Sequence, residues 1–183
     1  MSGDEILGRA EHLPAVISDI LGISLPSGVE SLPLPPEFTG AQACVVICVD
    51  NFGLAEIVNF KPKALIKFFF QRLIMLETSY PDAESMTNYV ITGKPTYEHL
   101  APNLFEHVMY QNKTLHVIDR QAFIELYVQN QSIPRSVVTQ DMQAWTAANK
   151  AINRHHFVFV RFTDLDIMYQ RYKNVQPPQD IVK

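Results

Sequence analysis

Residues 43–50 read Ala-Cys-Val-Val-Ile-Cys-Val-Asp. Seven apolar residues in succession, β-branched at Val45, Val46, Ile47 and Val49, are the pattern of a strand covered on both faces by helices; a strand with one wet face alternates with polar residues. The run ends at Asp50, Asn51, Phe52 and Gly53, which puts a carboxylate at the strand's carboxyl end. Phe157 to Phe162 (FVFVRF) is a second such run, ending at Thr163, Asp164, Leu165 and Asp166, and Thr114 to Ile118 (TLHVI) is a third. These three are expected as central strands.

Helical segments fall between them. His12 to Ile23 carries Leu13, Val16, Ile17, Ile20 and Leu21 at helical spacing, with Pro14 suited to a first turn. Lys63 to Met75 follows Pro62 as a second candidate, and Ile74 to Thr78 reads as a short strand. Asp82 to Ile91 is helical up to Thr92-Gly93, where glycine fits a left-handed cap. Pro102 to Tyr110 and Thr139 to Arg154 are further helices, while Gln121 to Val128 fits a helix or a strand. Strand and helix alternation predicts an α/β fold with a mostly parallel sheet flanked by helices on both faces, its sites beyond the strands' carboxyl ends. Residues 1–40 form an N-terminal helix and a connector containing Pro26, Pro33, Pro35 and Pro36, and residues 41–183 form the α/β domain.

The 183 residues are 47% apolar and 19% charged, enough for a self-standing core. A net charge of -4 gives no field-scale attraction for nucleic acid or an anionic membrane. No apolar stretch reaches membrane-spanning length, since the densest, Ala64 to Leu76, contains Lys67, Gln71 and Arg72, so no membrane insertion is expected. Cys44 and Cys48 lie on one face of one strand, roughly 13 Å apart and beyond disulfide reach. Free thiols suit a reducing compartment, and with Asp4 and Glu5 at the start in place of a basic signal-peptide region the expected address is cytoplasmic.

Asp50, Asp164 and Asp166 could converge on one rim of the sheet, where hard or borderline divalent ions take carboxylate oxygens. Asp82 stands at a helix N-cap with Ser85 in the first turn, a setting whose unpaired N–H groups favour anions and lower a nucleophile's pKa. His99, His107, His116 and the pair His155-His156 have no chelating spacing on a single element. No glycine-rich phosphate loop, GxSxG elbow or CxxC is present.

Three segments, VVICVDNFG at Val45–Gly53, SYPDAESMTNYVITGKPTYEH at Ser79–His99 and FVFVRFTDLDIMYQRYK at Phe157–Lys173, occur in an order that resembles the alkaline phosphatase superfamily. The likeness is to its nucleotide pyrophosphatase/phosphodiesterase and cofactor-independent phosphoglycerate mutase-like branches. It implies a three-layer sandwich, here incomplete at the C-terminus, with Asp50 and Asp166 as metal ligands. Tyr80-Pro81, Thr92-Gly93, His99 and Tyr172 also match. The departures fall on the chemistry: Asn51 replaces a glycine, Gln170 replaces a metal-binding histidine, and Leu100 replaces a glycine. The nucleophile position falls on Glu84 counted from Pro81, on Ser85 with a one-residue slip, or on Ala83 counted backward from Thr92-Gly93, and the anion-binding candidates are Asn51, Glu84 and Ser85. The family's closing metal ligands would lie beyond Lys183.

Two surviving carboxylates rarely hold a divalent pair by themselves. The expectation is therefore a non-catalytic interaction or scaffolding protein without a cofactor, binding a protein partner or a second copy of itself. One alternative is a phosphohydrolase or phosphotransferase using Zn or Mn on Asp50 and Asp166 with Ser85 as nucleophile. Another is a small-molecule or nucleotide-binding regulator.

Overall fold

The computed structural model describes residues 8–24, 32, 38, 41–52, 76–80, 82–97 and 102–172. In chain order its elements are β1 (Gly8–Arg9), a 3-10 turn (Ala10–His12), α1 (Leu13–Leu21), β2 (Cys44–Val49), β3 (Leu76–Glu77), α2 (Ala83–Thr92) and α3 (Leu104–Tyr110). They continue with β4 (Leu115–Asp119), α4 (Gln121–Tyr127), β5 (Arg135–Val137), α5 (Asp141–Ala151), β6 (Phe157–Phe162) and α6 (Asp164–Tyr172). Four strands make a parallel sheet in the order β2-β6-β4-β5, and β1 pairs in parallel with β3. With helices packed on both sheet faces, the fold is α/β, as the alternation of elements predicts. The expected Lys63–Met75 helix and His99 lie outside the described residues, and no described helix is long and apolar enough to cross a membrane.

Strand β6 sits between β2 and β4, with Phe157 opposite both Cys44 and Leu115. Its alternate residues feed two cores. Phe157 and Phe159 enter a large one with Phe105, Val108, Phe123, Ile124 and Tyr127 from α3 and α4 and Ile17 and Leu21 from α1. Val158 and Val160 enter a smaller one against Ala144, Ala148 and Ala151 of α5. Alanines at this helical spacing let α5 lie close to the sheet, while the opposite face needs a thick aromatic layer. There Phe105 lies edge-on to Phe159 at 5.3 Å and Phe123 stacks on Phe159 at 5.4 Å.

The helix ends follow their sequence signals. Asp82 Oδ1 accepts the Ser85 N–H at 2.9 Å, and α2 stops at Gly93 with φ 74°. Asn103 and Glu106 form a capping box on α3, and Asn103 Nδ2 also donates to the Tyr127 carbonyl at 2.8 Å. The segment that fitted a helix or a strand is the helix α4, whose Phe123, Ile124 and Tyr127 make one buried stripe.

The reading of β2 as a strand covered on both faces is corrected. Its burial alternates, with Val45, Ile47 and Val49 exposed at 37%, 53% and 39%. The reason is position: β2 ends the described sheet, and α5 packs over β6 and β4. It is therefore not central in this sheet, whereas β4 and β6 are. Strand β5 escaped the sequence reading because it is three residues long and follows Pro134.

Phe105 is fully buried among three phenylalanine rings, so Phe105→Ala should destabilise the fold by about 3–5 kcal/mol. Urea unfolding of the variant should show a lower midpoint with an unchanged slope.

Candidate functional site

The carboxyl ends of β2, β4 and β6 deliver charge to one rim. Asp50 follows β2 and continues its ladder through a 3.0 Å bond from its N–H to the Phe162 carbonyl. Asp119 is the last residue of β4, and Arg161 is the fifth of the six in β6. Because side chains alternate, Cys48, Asp50, Asp119 and Arg161 all project to the face that carries Phe157 and Phe159.

There a single guanidinium serves two carboxylates. Arg161 Nε lies 3.4 Å from Asp50 Oδ2 and 3.3 Å from Asp119 Oδ2. Its plane lies over the Phe123 ring, 5.0 Å from the centroid, and Nη1 donates to Thr87 Oγ1 of α2 at 3.4 Å. Asp119 is 0% exposed and Asp50 8%. Burial is the largest influence on both acids and outweighs the lowering pull of Arg161, raising Asp50 to about 6 and Asp119 to about 7. Burial, reinforced by Asp50, also pushes Cys48 up to about 12, so this thiol stays protonated at neutral pH and is no nucleophile.

A second cluster adjoins the first. Arg120 donates to Asp164 Oδ1 and to the Thr139 carbonyl, both at 2.6 Å, and to the Thr163 hydroxyl. Asp141 Oδ1 accepts the Thr163 N–H at 2.8 Å, while Asp164 Oδ2 accepts the Asp141 N–H at 3.0 Å. Each acid thus serves the start of the other's helix, an arrangement favoured by the positive helix ends.

The structure brings Asp50 and Asp166 to the same rim: Asn51 Nδ2 donates to Asp166 Oδ1, and the Asp166 charge contributes to the raised pKa of Asp50. Asn51 adopts φ 55°, a left-handed conformation that asparagine tolerates better than most residues, at the position where the resemblance expects glycine. Ser85 is engaged through its N–H with Asp82 in the first turn of α2. The α2 hydroxyl that reaches the rim is that of Thr87, two residues on, which is 2% exposed and donates to the Ala83 carbonyl at 2.8 Å. Glu84 is exposed, and its charge acts on Tyr127. Arg161, Asp119, Arg120, Asp141 and Thr87 were not singled out in the sequence. The available signal was Arg161 itself, a charge at an inward-facing position of an apolar strand.

This donor set does not suit a pair of Zn or Mn ions. Asp50 faces Arg161, Asp166 is bonded to Asn51, and Asp164 bridges Arg120 and α5. Among the described residues no three His, Cys, Asp or Glu side chains are grouped to hold a metal ion. A guanidinium already supplies the positive charge that the buried Asp50 and Asp119 require. No protein-family model, curated protein or solved structure matches the chain.

Replacing Arg161 with leucine should cost about 3–5 kcal/mol, because Asp50 and Asp119 are left buried without a counter-charge. Adding Asp50→Asn and Asp119→Asn to Arg161→Leu should recover part of that loss in urea unfolding. The pH dependence has a defined sign. With its pKa raised from 3.8 to about 7, Asp119 keeps a proton in the folded chain that the unfolded chain releases. Its contribution to stability is therefore present below pH 4 and is lost as pH rises toward 7. Asp119→Asn should gain stability relative to the parent across that interval, read from unfolding midpoints at both ends of it.

Proposed function

We propose that the chain is a non-catalytic interaction or scaffolding protein, built on a degenerate alkaline phosphatase-like domain and working in the cytoplasm. The observation that carries this reading is Arg161, which stands between Asp50 and Asp119 at the rim where a two-metal hydrolase would hold its ions. Two-metal catalysis clamps both the attacking and the leaving oxygen, and a guanidinium ion-paired with both buried carboxylates competes with metal ions for them. The Ser85 turn adds to this reading, since its N–H is spent on Asp82. Val45, Ile47 and Val49 give β2 an exposed apolar face, which supports a protein partner or a second copy of the chain. Cys44 and Cys48 are free thiols, consistent with a reducing compartment.

A metal-dependent phosphohydrolase is the second reading, and the convergence of Asp50 and Asp166 on one rim favours it. The two separate in an assay of purified protein on phosphomonoester and phosphodiester substrates with added Zn or Mn, alongside metal analysis. The expected result is no turnover above background and no stoichiometric metal. Robust turnover abolished by both Ser85→Ala and Asp50→Asn would replace the first reading with the second, because losing a nucleophile or a metal ligand removes several powers of ten in rate.

A further inference from the structure

Between α5 and β5 runs a groove of about 530 Å³, a size that accepts a small organic molecule. Its basic end holds His116, Lys150, Arg154 and His155, and its walls include Val138 and Ala147. The described lining contains no Asp or Glu, in a chain whose net charge is -4. Lys150 and Arg154 are exposed, and neither has an ion-pair partner among the described residues.

The polar atoms at this end are specific. The His116 and His155 rings lie 5.1 Å apart, His116 Nε2 is 2.9 Å from Ser136 Oγ of β5, and His155 Nδ1 is buried without a hydrogen-bond partner. That nitrogen is turned away from solvent, which leaves Nε2 as the ring atom of His155 that a ligand could meet. A neighbouring cavity shares Arg154 and His155 and adds Lys113 and His156, again with no acid among the described residues of its lining. Cations near the carboxyl end of α5 are favoured by the helix dipole, which accounts for Lys150 and Arg154. It does not account for His116 and Ser136, which come from the sheet, or for the missing carboxylates.

We propose that this groove binds a small organic phosphate monoester, its phosphate received by Arg154, Lys150, His155 and His116 and its organic body lying along the apolar wall. Two permanent cations and two imidazoles suit a group that carries between one and two negative charges near neutral pH better than they suit a single carboxylate. The inference is independent of the function proposed for the acidic rim, because it uses none of the residues there.

Proton linkage supplies a signature. In the empty groove His116 is held below its ordinary pKa by burial and by His155, and His155 by burial, Arg154 and His156. Lys150 from α5 lines the same end, and Ser136 from β5 is uncharged. A bound phosphate reverses that field, so both imidazoles should titrate at higher pH when it is present.

The test uses the full chain titrated with phenyl phosphate, inorganic phosphate and benzoate by calorimetry, with histidine resonances followed by NMR. Phenyl phosphate should bind one to one and more tightly than the other two, and should raise the titration points of His116 and His155. Arg154→Glu and Lys150→Glu, both at exposed positions, should each weaken it by about tenfold or more, with only the small fall in unfolding midpoint that the helix dipole imposes. No saturable binding of phenyl phosphate below about 10 mM, or binding unchanged by both charge reversals, would overturn the proposal. So would binding confined to phosphatidic acid in phosphatidylcholine vesicles, which would place the phosphate on a lipid surface instead.

Discussion

Strand β6 is hydrogen-bonded on both edges and packed on both faces, and each of its residues must therefore satisfy the side on which the pleat places it. Phe157 and Phe159 need a deep layer, so α1, α3 and α4 bring aromatic and branched residues to that side. Val158 and Val160 leave little depth on the other, so α5 offers alanines. The same pleat that sends the two phenylalanines inward sends Arg161 inward next. A guanidinium cannot be buried without partners, and the ends of β2 and β4, one on each side of β6, are the places from which carboxylates can reach it. The acidic rim is thus a consequence of how the central strand is packed.

The resulting triad is uneven, since one positive charge faces two acids that would both be negative in water. Burial resolves the mismatch by raising both carboxyls toward neutral pH, so that part of the second charge is removed by a proton. Arg161 also touches the Phe123 ring and donates to Thr87, contacts that involve neither acid. Such a triad contributes little net stability compared with an apolar replacement of the same shape, but losing one member is expensive. Its effect is to lock α2, α4 and the ends of three strands in one arrangement.

Most of the architecture was legible because apolar runs and caps are local signals. The ACVVICV, TLHVI and FVFVRF runs became β2, β4 and β6, and Asp82 and Gly93 bound α2 as their chemistry requires. What was not legible depended on neighbours. The same continuous apolar pattern describes a strand buried on both faces and one with Val45, Ile47 and Val49 in solvent, because sequence does not say which strand ends the sheet. The convergence of Asp50 and Asp166 could be anticipated from their shared place after parallel strands. The insertion of Arg161 could not, because strand order is needed to know which acids flank it. Asp164 was correctly placed on the rim but turned out to cap α5, a role that depends on where Asp141 lies.

The two ends of the sheet carry opposite charge. Beyond the carboxyl ends lie Asp50, Asp119, Asp141, Asp164 and Asp166, with Arg120 and Arg161 ion-paired among them. Toward the amino ends, Lys113, Lys150, Arg154 and three histidines line two cavities with no acid among the described residues of either lining. Charges at the first end are mostly buried or bonded to one another, so that end is self-contained. Those at the second end are exposed or short of partners, and a group that already has its counter-charge gains less from a ligand than one that has none. By that criterion the rim that parallel-sheet rules single out for binding has its charges balanced by ion pairs, although Asp119 Oδ2 and Arg161 Nε lack a hydrogen-bond partner among the described residues, and the proposed anion site lies at the basic end, on the flank of α5.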